Sequence, residues 1–221
     1  MVRKDGDKMQ GESLTIELTD ADIHKLLQRY HFMESDYKSV IHLYYALFPL
    51  VKAEVFIEYN PGYEFIEYNH YVVIAVTLGE YVDRLITLYS EAEKVSQAYM
   101  IDCIALELLM RAYRKAVQEV HVKTGLWVQR MEFLGDKYPI NKTLEILQHM
   151  QQTHITCNAA FMMSPQKSTV FVAELTEKPK DIDKSCTLCQ DCKRISCPNR
   201  IEIKENRNYG YQRIFGKKEN M

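Results

Sequence analysis

Residues 71–78, Tyr-Val-Val-Ile-Ala-Val-Thr-Leu, form an unbroken run of β-branched, aromatic and aliphatic side chains. A strand with one wet face would alternate apolar and polar positions. A continuous run predicts instead a central strand buried on both faces, which Gly79 then ends. The run is far shorter than the ~20 apolar residues of a membrane-spanning helix. With 221 residues, 47% of them hydrophobic, the chain can build one sizeable core with a small satellite module beside it.

The other elements are placed around that strand. Residues 1–13 are polar and read as a loose arm. Residues 14–18 alternate and predict a strand. Thr19 with Asp22 makes a capping box for a helix through Leu27 that ends near Tyr30. A second helix is expected over 35–47, broken by Pro49, and a half-buried strand over 52–59. Asn60-Pro61-Gly62 is a turn signal, with 64–69 as the returning strand of a hairpin. Residues 80–95 have helical periodicity. Ala98, Ile101, Ala105, Leu108, Leu109 and Ala112 form the clearest helical stripe, which fades before Thr124-Gly125. A polar connection follows Arg130, then a helix over 141–150 and a strand over 168–175. Helices and strands mix without regular βαβ alternation, so the expected class is α+β: a twisted antiparallel sheet with flanking helices over 14–176. From Glu177 onward apolar residues thin out and 11 Lys/Arg stand against 7 Asp/Glu. Residues 177–206 are read as a small Cys-rich metal-binding segment and 207–221 as a tail.

A net charge of −2, from 28 basic and 30 acidic residues, supplies no field that would draw the chain to nucleic acid or anionic lipid. The first thirteen residues carry positive charge with no apolar stretch behind them, so no secretory signal is expected and a cytoplasmic protein follows. In that compartment the six cysteines are read as metal chemistry before disulfides. Cys186, Cys189, Cys192 and Cys197, followed by Pro198, space four thiolates so that one loop can wrap one soft metal centre. The spacing is within one residue of a ferredoxin run and also suits tetrahedral zinc, so iron-sulfur and zinc both stand, with free thiols as the alternative. Cys103 and Cys157 read as buried small hydrophobes. None of the seven histidines has HxxxH or HExxH spacing.

Several segments lie in the order seen in the activation domain of cobalamin-dependent methionine synthase and its single-domain relatives. They are the apolar strand with Thr77-Leu78-Gly79, the helix 98–107 with Asp102, residues 125–130, Pro139-Ile140, Thr153-His154-Ile155-Thr156, and Met162-Met163-Ser164-Pro165-Gln166-Lys167-Ser168. The chain resembles a stand-alone member of that family over about half its length. The resemblance implies an α+β domain that binds S-adenosylmethionine and helps remethylate an inactivated corrinoid held on a partner methyltransferase protein, with an electron-transfer partner as a further candidate. The cofactor-binding residues it implies are Asp102, Arg130, Gly135, Asp136, Ser164, Lys167 and Ser168. A terminal Cys-Pro-x-Arg also occurs in the single-domain relatives, so Cys186 stands out as the extra ligand.

One departure qualifies this. Family members that bind S-adenosylmethionine carry an arginine followed by a Pro-Gly-Tyr turn. Here Arg130 is followed by Met131-Glu132-Phe133-Leu134-Gly135-Asp136, in which a glutamate and bulky apolar residues either fill the pocket or reshape it. A non-catalytic docking module of the same fold is therefore the alternative function. The bland alternatives are a salt-bridged Asp102, a solvated Arg130 and a turn-forming Ser-Pro ahead of Lys167 and Ser168.

Overall fold

Seven of the eight residues in the apolar run become β3 (Tyr71–Thr77), and every one of the seven is buried. The computed structural model describes residues 11–179. Within them β1 (Glu12–Ser13), β2 (Glu54–Tyr59), β3, β4 (Trp127–Phe133) and β7 (Ser168–Thr176) form one sheet in the order β1-β2-β3-β7-β4, with every neighbouring pair antiparallel. A two-stranded ribbon, β5 (Thr156–Cys157) with β6 (Met163–Ser164), lies outside it. The fold is α+β, as expected.

Helices α1 (Asp20–Arg29), α2 (Tyr37–Leu47), α3 (Glu80–Glu91) and α4 (Val95–Thr124) cover one face of the sheet. The capping box at Thr19 forms as the sequence predicts: the Asp22 N–H donates to Thr19 Oγ1, and the Thr19 N–H donates to Asp22 Oδ2 at 2.8 Å. The long α4 lays Ile101, Leu108 and Ala112 against Val72, Ile74 and Phe171, and ends on Gly125 at φ +73. Each fully buried aliphatic side chain on that stripe contributes about 1.5–3 kcal/mol. The opposite face is covered by the 60–70 loop and α5 (Lys142–His149), whose Tyr63, Ile66, Ile146 and Leu147 pack on Phe56, Val73 and Val172.

The structure corrects four expectations. Residues 64–69 form no strand, because β2 pairs directly with β3 and leaves 60–70 as a loop. Residues 14–18 keep their alternating burial, but ladder pairing is confined to Glu12 and Ser13; Leu14 donates to the Ala53 carbonyl and Leu18 to the Tyr44 hydroxyl. The helix over 80–95 ends at Glu91, where Glu93 at φ +60 turns the chain into α4. The first three residues of the polar connection expected after Arg130, 131–133, are the end of β4, and the connection begins only after Phe133. A register shift between Val128 and Arg130 displaces the strand's apolar positions by one, so Val128 and Met131 both face the helices and the period of two is lost. Residues 1–10 and everything from 180 on, including the four clustered cysteines, lie outside the described residues. Among the described residues no helix is long and apolar enough to cross a membrane.

Candidate functional site

The bulge in β4 decides which charges meet. With Met131 turned to the helices, Arg130 and Glu132 project from the other face, and Arg130 pairs in register with Glu174 of β7. Glu132 is only 5% exposed. A carboxylate that deeply placed needs donors, and Tyr68 from the 60–70 loop donates its hydroxyl to Glu132 Oε1 at 3.2 Å. Burial, then the Glu132 charge and hydrogen bond, push the Tyr68 phenol up to about 12. Arg130 is 57% exposed, and its described ion pair is a long one, 4.0 Å from Nε to Glu174 Oε2. Its guanidinium therefore has donors to spare for a bidentate partner.

The loop after β4 closes this edge. Gly135 at φ +96 donates its N–H to the Tyr138 carbonyl at 2.8 Å, and the turn swings Lys137 back so that Nζ lies 3.2 Å from the Tyr68 hydroxyl. The Asp136 N–H donates to the Phe133 carbonyl, which makes Gly135 and Asp136 the frame of the turn. Tyr138 is buried, and its hydroxyl has no hydrogen-bond partner among the described residues. Phe133 does not enter this region: its ring packs on Tyr113 and Phe171 in the helix-side core. Residues 131–136 thus shape this edge of the sheet.

The remaining candidates lie elsewhere. Lys167 Nζ donates to Asp102 Oδ1 at 2.7 Å, tying the entrance of β7 to α4, and Lys167 is the more buried partner at 13% against 43%. Ser168 donates its hydroxyl to Thr77 Oγ1 at 2.8 Å within the β3–β7 ladder. The first contact joins α4 to β7 and the second joins β3 to β7. Ser164 lines a cleft of about 360 Å³ with Lys52, Thr77, Gly79 and His154, so three segments singled out in the sequence converge there. That cleft is far from Arg130. From Ser168 to Glu174 is six residues of strand, or about 20 Å.

Two histidine–carboxylate pairs carried no signal in the sequence. His149 Nδ1 lies 2.8 Å from Glu58 Oε1, with Tyr63 donating to the other carboxylate oxygen, and His154 Nδ1 lies 2.5 Å from Glu54 Oε2. Their members are 91 and 100 positions apart, out of reach of any spacing rule. Cys103 is buried, as expected, and burial raises its thiol to about 11; Cys157 is half-buried. Among the described residues no group of three or more His, Cys, Asp or Glu is arranged to hold a metal ion.

No protein-family model matches the chain, and no curated protein matches it. Among solved structures it superposes on the crystal structure of the MetH reactivation domain bound to AdoHcy, with a TM-score of 0.56 at 9% identity, over 79% of this chain and 81% of that one. At that identity the likeness is one of fold.

Proposed function

We propose that this chain is an accessory protein of corrinoid-dependent methyl transfer that binds S-adenosylmethionine along β4 and its following loop. The observation that carries the reading is the fold shared with a reactivation domain whose structure contains AdoHcy. That ligand differs from S-adenosylmethionine by one methyl group. The residues at the β4 edge fit such a ligand: the exposed Arg130 guanidinium suits a carboxylate, and the Glu174 carboxylate suits an ammonium or ribose hydroxyls. Bound there, S-adenosylmethionine would supply the methyl group for a corrinoid on a partner protein. The chain's own residues bind and orient it.

In this reading Asp102 and Lys167 act at a distance by tying α4 to the entrance of β7, Ser168 by tying β7 to β3, and Gly135 and Asp136 shape the turn. The four cysteines Cys186, Cys189, Cys192 and Cys197 are proposed to hold an iron-sulfur cluster or zinc, on their spacing alone. Calorimetric titration with S-adenosylmethionine tests the main proposal. Binding is expected for the wild type, weakened by about 1.5–3 kcal/mol in Arg130→Ala, the scale of a charged hydrogen bond. No heat at millimolar ligand would remove the reading.

A further inference from the structure

The loop that follows β4 places a cation of the protein's own in a box that suits a ligand's cation. Lys137 Nζ lies 4.4 Å from the centre of the Tyr68 ring and 5.4 Å from that of Tyr138, both within the ~6 Å range of cation–aromatic attraction. At the hydroxyl end of Tyr68 stands Glu132, buried and accepting that hydroxyl's hydrogen bond at 3.2 Å. The Tyr138 hydroxyl is enclosed beside Lys137 and meets no acceptor among the described residues. Two aromatic faces with a buried carboxylate at the edge of one of them form an environment in which an onium group is held without a hydrogen bond. A sulfonium or quaternary ammonium has no N–H to offer, so ring quadrupoles and a fixed negative charge are what can recognise it.

Lys137 is held there by the Tyr68 hydroxyl, 3.2 Å from Nζ, and by the two rings, with no close carboxylate partner of its own among its described contacts. It is about a third exposed, its ion pair with Glu67 is long at 3.9 Å, and Glu67 is largely in water. Leaving the box costs the ammonium little, because solvent takes up its charge at once. The loop that carries it turns on Gly135, whose φ of +96 allows the tight turn that brings Leu134 beside Tyr138.

We propose that Tyr68, Tyr138 and Glu132 form a site for an organic onium group, occupied by Lys137 in the ligand-free protein and surrendered to the sulfonium of a bound ligand. The inference rests on the reading of the β4 edge as an S-adenosylmethionine site, and deepens it. The site would then select the methylated, charged form of the ligand over neutral AdoHcy. Lys137 would be an internal competitor, so that losing it favours binding.

The test compares four proteins, each confirmed folded by circular dichroism: wild type, Lys137→Met, Glu132→Gln and Lys38→Met. The last removes the same charge from an exposed position on α2, on the other side of the sheet. In Lys137→Met, S-adenosylmethionine should bind about three- to fivefold tighter, the scale of one half-exposed cation–aromatic contact. AdoHcy should stay within twofold. Glu132→Gln should erase the preference between the two ligands, and Lys38→Met should change neither. Equal gains for both ligands in Lys137→Met, or the same gain in Lys38→Met, would overturn the proposal. If neither nucleoside binds any variant, the functional reading has failed by itself, and trimethylsulfonium then judges the box alone. Shifts of the Tyr68 and Tyr138 ring resonances in Lys137→Met at millimolar trimethylsulfonium support it, and unmoved rings overturn it.

Discussion

The Asp102–Lys167 pair separates a structural tie from a ligand contact, and its energetics follow from burial. Lys167 is 13% exposed and Asp102 43%, at a contact of 2.7 Å. Pairs in open solvent couple by about 0.2–1 kcal/mol, whereas breaking a buried pair costs about 3–5 kcal/mol. A contact with one exposed partner falls between, and we expect a coupling of about 1 kcal/mol. The single replacements should be unequal. Lys167→Met keeps the packed stem and leaves a carboxylate that water can reach, for a loss of about 1 kcal/mol. Asp102→Asn strands the more buried ammonium, for a loss of about 2 kcal/mol. Urea unfolding followed by the fluorescence of Trp127, the one tryptophan, reads both variants and the double mutant from β4 itself. A coupling below about 0.3 kcal/mol, or the reverse order of the singles, would refute the tie and return Asp102 to the list of ligand contacts.

Three further outcomes are expected. Gly79→Ala should lose about 2 kcal/mol in the same urea assay, since φ is +84 there and a Cβ would lie 2.9 Å from Lys52 Cβ, on a side chain fixed close to its backbone; a loss under about 0.5 kcal/mol would contradict this. Iodoacetamide at pH 8 should leave Cys103 unmodified in the native protein and alkylate it in urea, because burial raises its thiol to about 11; peptide mass spectrometry reads the difference. The fold holds Cys103, Tyr68 and Tyr138 in their neutral forms, with Tyr138 also pushed up to about 12. Their contribution is therefore fully present below their ordinary values of about 9 to 10 and is lost as pH rises toward 11–12, when the unfolded chain ionises first. The urea midpoint should be level up to about pH 8 and fall by pH 11, and a constant midpoint would contradict the sign.

What the sequence made legible was local or strongly patterned. The β3 run, the Thr19–Asp22 box and the stripe of α4 each lie within a few turns of chain, and each appears in the fold where expected. Strand β4 is not legible in the sequence, because the register shift between Val128 and Arg130 breaks the alternation by which a strand is read. The partners of the candidate residues were also out of reach. Lys167 meets Asp102 across 65 positions and Tyr68 meets Glu132 across 64, so only the sheet order brings them together. The resemblance named seven cofactor-binding residues as one set. The fold divides them between the β4 edge, the α4–β7 tie and the cleft beside Ser164, and only Arg130, Gly135 and Asp136 belong to the edge proposed to bind ligand.

A ligand lying along β4 and the loop after it would be located by amide chemical shifts. On adding S-adenosylmethionine to uniformly ¹⁵N-labelled protein, perturbations are expected to cluster at Tyr68, Arg130, Glu132, residues 135–138 and Glu174. Shifts confined to the cleft of Thr77, His154 and Ser164, or an unchanged spectrum at millimolar ligand, would contradict the account.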